Sequence, residues 1–192
     1  MTAFDLRELP IPVIVAPMAG GPSTPELAAA ATRAGALGFL AAGYLTAQAL
    51  AERISTARDL TSGPLGVNLF APQPSVARRD EIERYATELA PEMARYGAEP
   101  GPPRFDDDGW AAKLDAVADL RPELVSFTFG GPSPQECARL RQRGITTVAT
   151  VTTLAEAQQA AATGVDALTV QGPGAGGHRG TYDPAAAPAG SR

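Results

Sequence analysis

The feature that most constrains the fold is a repeated alternation of short apolar runs with longer, alanine-rich amphipathic segments. The apolar runs predict buried strands, and the segments between them have the period of helices. Strands connected by helices favour a parallel sheet with both faces covered. The six predicted strands lie at residues 12–18, 37–43, 64–70, 123–130, 146–151 and 167–172.

Residues at the ends of the predicted helices support this alternation. The first helix is expected to begin at Ser23 or Thr24, with Pro25 in its first turn, and Thr46 is expected to cap the second. No helical pattern follows the sixth predicted strand. Glycines, which commonly end helices, follow three of the helical segments at Gly35, Gly144 and Gly164.

The alternation is interrupted between the third and fourth strands. Residues 71–120 contain a long charged helix around 80–97, a loop rich in proline, glycine and aspartate, and a further helix at 110–120. We interpret this stretch as a helical insertion within a single domain that comprises residues 1–192. Two closures of the sheet stay open: a doubly wound open sheet, or a (β/α)8 barrel, which normally has about 250 residues and eight strands.

Composition and charge exclude several classes of protein. A net charge of −5 argues against a nucleic-acid partner, and a single cysteine excludes a disulfide framework or a cysteine-rich zinc site. Cys137 lies within a predicted helix and is expected to be structural. The chain shows no signal peptide and no run of about 18 apolar residues, so we expect a cytoplasmic protein with no membrane partner.

Candidate chemical groups follow the predicted strands, at the end of the sheet where both alternative folds bind ligands. Asn68 ends the third strand and Gln171 the sixth. Each amide can donate and accept hydrogen bonds, as the imide edge of a flavin or a nucleobase requires. His178, the only histidine, lies in the glycine-rich run VQGPGAGGHRG and is the best proton-transfer group.

Each of these residues also has a purely structural interpretation. Asn68 and Gln171 can simply close turns, and a histidine in a glycine-rich loop is often a surface residue. The glycine-rich run lacks the spacing of a dinucleotide fingerprint, the chain contains no Walker A sequence, and the aspartates at 106–108 lack the spacing of a metal site. Polar or glycine-rich groups nevertheless recur after most strands, which favours one composite site without a metal.

Four motifs, in order, resemble those of nitronate monooxygenases, formerly called 2-nitropropane dioxygenases. They are VIVAPMAGG with its following helix, LGVNLF, LVSFTFG, and the stretch from RGITTVATV to AGGHRG, within about residues 10–181. The resemblance implies an α/β fold of the (β/α)8 TIM-barrel type, of which this chain has about six of the eight βα units. It also implies noncovalently bound FMN and the oxidation of alkyl nitronates by molecular oxygen to carbonyl compounds and nitrite.

The resemblance also implies roles for individual residues. His178 matches the family's catalytic histidine, which acts as a base on the substrate's α-carbon or orients the anionic nitronate. The implied flavin-binding residues follow the first, third and sixth strands: Ala16, Pro17, Met18, Asn68, Gln171, Gly176 and Gly177.

Members of the family continue beyond the histidine with two more βα units, whose glycine-rich loops hold the FMN phosphate. We therefore expect a truncated gene product or a fragment, with open sheet edges that a homo-oligomer would pair. Two other functions stay open. One is an FMN-dependent enoyl-acyl-carrier-protein reductase, a related barrel that consumes NAD(P)H, and the other is a non-catalytic remnant.

Overall fold

The computed structural model describes residues 4–74 and 77–185 of the chain. The chain divides into two compact units, Met1–Gln73 with Asp107–Arg192, and Pro74–Asp106. The first unit contains the whole sheet, and the second contains one long helix. Whether residues 1–192 form a single domain stays a prediction.

Six parallel strands form one sheet, and their order in the sheet is their order in the sequence. β1 is shorter than its predicted run because Pro12 and Pro17 have no N–H to donate to a neighbouring strand. The strands are β1 Ile14–Val15, β2 Leu37–Ala41, β3 Leu65–Phe70, β4 Leu124–Thr128, β5 Thr146–Val151 and β6 Ala167–Val170.

The predicted helices are present close to their expected bounds, and a short 3-10 turn at Leu6–Glu8 precedes the sheet. The helices are α1 Pro25–Arg33, α2 Ala47–Leu60, α3 Arg79–Arg95, α4 Trp110–Leu120, α5 Pro134–Gln142 and α6 Leu154–Thr163. Thr24 and Thr46 cap α1 and α2 through their hydroxyl oxygens, which confirms the cap predictions. Gly164 ends α6 with a φ of 85°, a left-handed conformation that glycine adopts without strain.

The strand order decides between the two predicted closures. A doubly wound sheet reverses its strand order at a switch point, whereas this sheet has no reversal. Right-handed crossovers that all advance in one direction place every connecting helix on the same face of the sheet. The fold is therefore an incomplete (β/α)8 barrel of six strands, as the resemblance implied, and the doubly wound alternative is wrong.

Side chains of the strands alternate between two apolar layers. The outward face packs against the helices, and β3 contributes Leu65, Val67 and Leu69 to this main core. The inward face holds a smaller cluster in which Phe39 and its neighbours pack against Leu6 of the N-terminal segment. This segment covers the inward face near the amino ends of the strands, so the carboxyl ends are left for a site. No helix of the described ranges is both long and apolar enough to cross a membrane.

Candidate functional site

A cavity of about 330 Å³ lies on the inward face of the sheet. Every strand, or the residues just after it, contributes to the cavity wall, as expected for the interior of a barrel. The lining residues are Leu6, Ile14, Ala16, Pro17, Phe39, Asn68, Leu124, Ser126, Thr128, Val148, Thr150, Leu168 and Thr169.

The polarity of the cavity wall changes along the strands. On β4, Leu124 faces inward near the amino end, whereas Ser126 and Thr128 face inward further along. On β5, Val148 is likewise followed by Thr150 two residues later. Side chains alternate along a strand, so residues two apart face the same side. The cavity wall is therefore apolar near the amino ends of β4 and β5 and carries hydroxyl groups nearer their carboxyl ends.

Asn68 is the most constrained polar residue of this wall. Its side chain is only 3% exposed, and Nδ2 donates to Ser126 Oγ at 2.9 Å, Thr128 Oγ1 at 3.0 Å and the Ser126 carbonyl at 3.3 Å. The carbonyl can only accept, so it fixes the amide with nitrogen towards β4. Asn68 Oδ1 accepts no hydrogen bond from the described residues and is thus the atom available to a donor on a ligand.

Residues 171–185, which we call the strap, follow β6 and return over the carboxyl ends of neighbouring strands. The Gln171 side chain holds the strap in a loop, because Nε2 donates to the His178 carbonyl at 2.9 Å and Oε1 accepts from the Gly180 N–H at 2.7 Å. A Cβ at Gly180 would lie 3.2 Å from the methyl carbons of Thr128 and Thr150. The strap therefore rests on two residues of the cavity wall.

The strap is also bound by side chains from two other elements. Glu156 in the first turn of α6 accepts from the Thr181 hydroxyl at 2.8 Å and from the Tyr182 N–H at 2.9 Å. Gln73, which follows β3, donates through Nε2 to the carbonyls of Thr181 and Tyr182 at 2.9 and 3.0 Å. These contacts fix the residues that follow His178.

Burial alone would raise the pKa of the Glu156 carboxyl, but the donated hydrogen bonds hold that pKa below its ordinary value. The donors come from Tyr182, Thr152 and Thr181. The Tyr182 ring is half-buried against the apolar cluster around Ala149 and Val151. Burial, followed by the nearby charge of Glu156, raises the pKa of Tyr182 to about 12.

The structure divides the predicted site residues into three sets. Ala16, Pro17 and Asn68 line the cavity, whereas Met18 is 41% exposed outside that lining, with its N–H bound to Ser23 Oγ at 2.8 Å. The remaining residues lie in the strap, outside the cavity lining: Gln171, Gly176, Gly177 and His178.

His178 is exposed, and its backbone carbonyl accepts the hydrogen bond from Gln171 Nε2. A Cβ at Gly176 or Gly177 would meet no atom within 4 Å, so the loop before the histidine borders open space.

The sequence did not single out several residues that build this region. Ser126, Thr128 and Thr150 were recognisable in principle, because they continue the inward-facing alternation of β4 and β5. Glu156 and Gln73 carry no such signal, since their contacts join segments far apart in sequence. Glu156 reads only as a first-turn acidic residue of a helix.

An aromatic row lies at the carboxyl ends of three neighbouring strands, β2, β3 and β4. Tyr44 packs edge-to-face on Phe70, with ring centroids 5.8 Å apart, and Phe70 packs similarly on Phe129 at 4.9 Å. Tyr44 is 77% exposed, and both Tyr44 and Phe129 have a φ near 70°, which is uncommon for residues with a side chain. The row presents an apolar surface at the carboxyl edge of the sheet.

Two predictions about other chemistry can be compared with the structure. Cys137 lies in α5 and is buried, which confirms its predicted place in a helix, and burial raises the pKa of its thiol. Within residues 4–74 and 77–185, no three histidine, cysteine, aspartate or glutamate side chains are grouped to hold a metal ion.

Comparison with known proteins supports the resemblance seen in the motifs. The family model for nitronate monooxygenase matches residues 6–190. The chain is 42% identical over 178 residues to a nitronate monooxygenase of Paraburkholderia phytofirmans. This alignment covers 90% of the present chain and 48% of the relative. The chain is 35% identical over 179 residues to a Staphylococcus aureus protein named "Probable nitronate monooxygenase", covering 93% and 50%. The chain thus spans about half the length of the curated relatives it matches.

Solved structures show the same likeness. A nitroalkane oxidase from Streptomyces ansochromogenes superposes with a TM-score of 0.86 and 48% identity, covering 91% of this chain and 50% of that one. FabK from Thermotoga maritima superposes with a TM-score of 0.58 at 22% identity, covering 85% and 41%, and this likeness concerns the fold alone. The fold, the motifs and the family match agree, and the chain belongs to the nitronate monooxygenase family.

Proposed function

We propose that this chain carries the flavin and substrate site of an FMN-dependent nitronate monooxygenase. The reaction is the oxidation of alkyl nitronates by molecular oxygen to carbonyl compounds and nitrite. The observation that carries the proposal is the strap, whose Gly180 packs on Thr128 and Thr150 of the cavity wall two residues after the chain's only histidine. Family membership supports the same reaction.

The donor set and the open glycines fit a planar flavin. Asn68 Oδ1 is available to accept from an imide N–H, and the small side chains of Ala16 and Pro17 leave room on the first-strand side. Gly176 and Gly177 let a ring approach the strap backbone closely. We assign Met18, which follows Pro17, and Gln171, which begins the strap, to the same binding surface. Bound FMN supplies the redox chemistry of the reaction.

His178 supplies proton transfer in this proposal. Its neutral imidazole takes the proton from the α-carbon of a nitroalkane, and its protonated form pairs with an anionic nitronate. The aromatic row of exposed Tyr44 with half-buried Phe70 and Phe129 offers an apolar surface for the alkyl group of the substrate. We further propose a cytoplasmic location and association into a homo-oligomer, which remain predictions from the sequence.

The test compares wild type with His178→Ala on a nitroalkane and on its preformed nitronate. Only the nitroalkane needs a base at the α-carbon, so kcat for this substrate should fall by about 10²–10⁴-fold, with a much smaller loss for the nitronate. Oxygen uptake and nitrite release measure both reactions. Equal losses of kcat on both substrates would show that His178 does not act as the base. Rates no higher than background in the wild type would contradict the proposed function.

FMN binding provides a second readout that does not depend on turnover. FMN should raise the unfolding temperature of the chain, because a ligand that binds only the native state stabilises it. The non-catalytic alternative predicts no such shift.

A further inference from the structure

The strap contains the proposed catalytic histidine, so the contacts that hold the strap determine where His178 sits. Gln171 binds the backbone on both sides of Arg179, through the His178 carbonyl and the Gly180 N–H. These two hydrogen bonds close a local loop, but Gln171 is itself part of the strap, so they do not attach the strap to the sheet. A fixed position relative to the sheet requires contacts from other elements.

Glu156 provides a contact of this kind from α6. Its side chain is 7% exposed, and its two oxygens have separate tasks. Oε2 accepts from the Thr152 hydroxyl at 2.8 Å and from the Thr153 N–H at 3.2 Å, and so caps the helix. Oε1 accepts from the strap, at Thr181 and Tyr182.

The preceding βα unit contains a matched residue that does not touch the strap. Glu136 occupies the same third position of α5 and forms the same capping box, there with Ser133. Its other oxygen accepts from Trp110 Nε1 at 2.8 Å. The capping role is therefore common to both glutamates, and the bond to the strap is a separate function of Glu156.

Gln73 binds the same two strap residues through their backbone carbonyls. Its amide donates to the carbonyls of Thr181 and Tyr182, whereas Glu156 accepts from the hydroxyl of one and the N–H of the other. Thr181 and Tyr182, three and four residues after His178, are thus bound by a donor from the segment after β3 and by an acceptor from α6.

We propose that Glu156, assisted by Gln73, is a positioning residue that fixes the strap and thereby directs His178 towards the cavity mouth. This inference rests on the function proposed above. It predicts that shortening the carboxylate will free the strap and misplace the imidazole without removing the flavin-binding surface.

The test uses the full chain with Glu156→Asp, and Glu136→Asp as the matched control. Aspartate keeps the charge and an acidic residue in the first turn, but it withdraws the oxygen from the strap. Exchange of the Tyr182 amide should accelerate about tenfold, as expected for a lost hydrogen bond. The imidazole resonance should shift, and it is unambiguous because His178 is the only histidine.

Kinetics give the functional readout. Glu156→Asp should lower kcat for a nitroalkane about tenfold while leaving KM and FMN affinity within about twofold, because only proton transfer depends on the imidazole position. Gln73→Glu should give the same pattern without altering the α6 cap, and it replaces Glu156→Asp if that variant fails to fold. Glu136→Asp should leave all these quantities as in wild type.

The inference is overturned if Tyr182 exchange and the His178 resonance in Glu156→Asp and Gln73→Glu match those of Glu136→Asp. Loss of kcat with an unmoved His178 resonance also overturns it. Amide exchange of Tyr182 and the His178 resonance can be measured without turnover. If the wild type fails to oxidise nitronates, the proposed function is contradicted, but these two measurements still decide whether Glu156 positions the histidine.

Discussion

The Tyr182 hydroxyl illustrates how single atoms in the strap contribute to stability. The oxygen is buried without a hydrogen-bond partner among the described residues, while the ring packs against the β5–α6 cluster. Burying a hydroxyl without a partner costs free energy. Tyr182→Phe removes that oxygen and keeps the ring, so the free energy of unfolding should stay unchanged or rise by about 1 kcal/mol. Urea denaturation measures the change, and a loss above about 1 kcal/mol would mean that the hydroxyl is bonded.

Acid stability depends on two carboxylates near the ends of α6. Burial raises the pKa of both Glu156 and Asp166, but hydrogen bonds outweigh it and hold each pKa below its ordinary value. The donors to Asp166 include Thr147 at 2.8 Å and Arg141 at 3.1 Å. The ionised forms therefore stabilise the fold above the ordinary glutamate pKa of 4.5, and this stability is lost as pH falls through the lowered folded-state values.

Glu156→Gln tests this linkage. The variant should be less stable than wild type at neutral pH, and it should lose less stability on acidification, because one of the two titrating groups is gone. Urea midpoints measured from neutral pH to below pH 4.5 provide the comparison. Parallel curves for the two proteins would show that Glu156 contributes nothing to acid stability.

At the scale of elements, α1 packs against β2 through a glycine. A Cβ at Gly38 would lie 2.0 Å from the Ala28 carbonyl oxygen in α1, which is backbone and cannot rotate away. Gly38→Ala should therefore separate α1 from the sheet and lower the free energy of unfolding by about 1–3 kcal/mol or more. Gly101→Ala is the control, since a Cβ there meets no atom within 4 Å. Equal denaturation midpoints for the two variants would contradict this packing.

The elements themselves were largely predictable from the sequence. All six strands, although β1 is shorter than predicted, and the helix starts at Thr24 and Thr46 follow from apolar runs and capping residues, which act locally. Lys113 shows the limit of this reasoning. It lies in an ordinary amphipathic pattern, yet its side chain is fully buried, donating to the Ala42 carbonyl at 2.9 Å and paired with Asp108 at 2.7 Å. Only the tertiary fold supplies these partners.

The candidate site was predictable in part for the same reason. Ala16, Pro17 and Asn68 were assigned by resemblance, and they lie together on the cavity wall. The strap was not foreseen, because its position depends on bonds from Gln73 and Glu156, which are distant in sequence. Sequence patterns predict which residues end a strand, but not which segment returns to cover them.

At the scale of the whole molecule, the sequential strand order leaves β1 and β6 as the two edges of the described sheet. Ile14 on β1 and Val170 on β6 are exposed apolar side chains at these edges. The curated relatives are about twice as long as the matched region. The activity of such a relative is therefore a proposal for this chain, and it requires a direct test of the flavin chemistry.

The most direct test is reduction of the bound flavin without oxygen. The protein is loaded with FMN and mixed anaerobically with an alkyl nitronate or, separately, with NAD(P)H, while flavin absorbance is followed. We expect the nitronate to change the flavin spectrum rapidly and NAD(P)H to leave the spectrum unchanged. Reduction by NAD(P)H with no response to the nitronate, or a chain that retains no FMN, would contradict the proposed function.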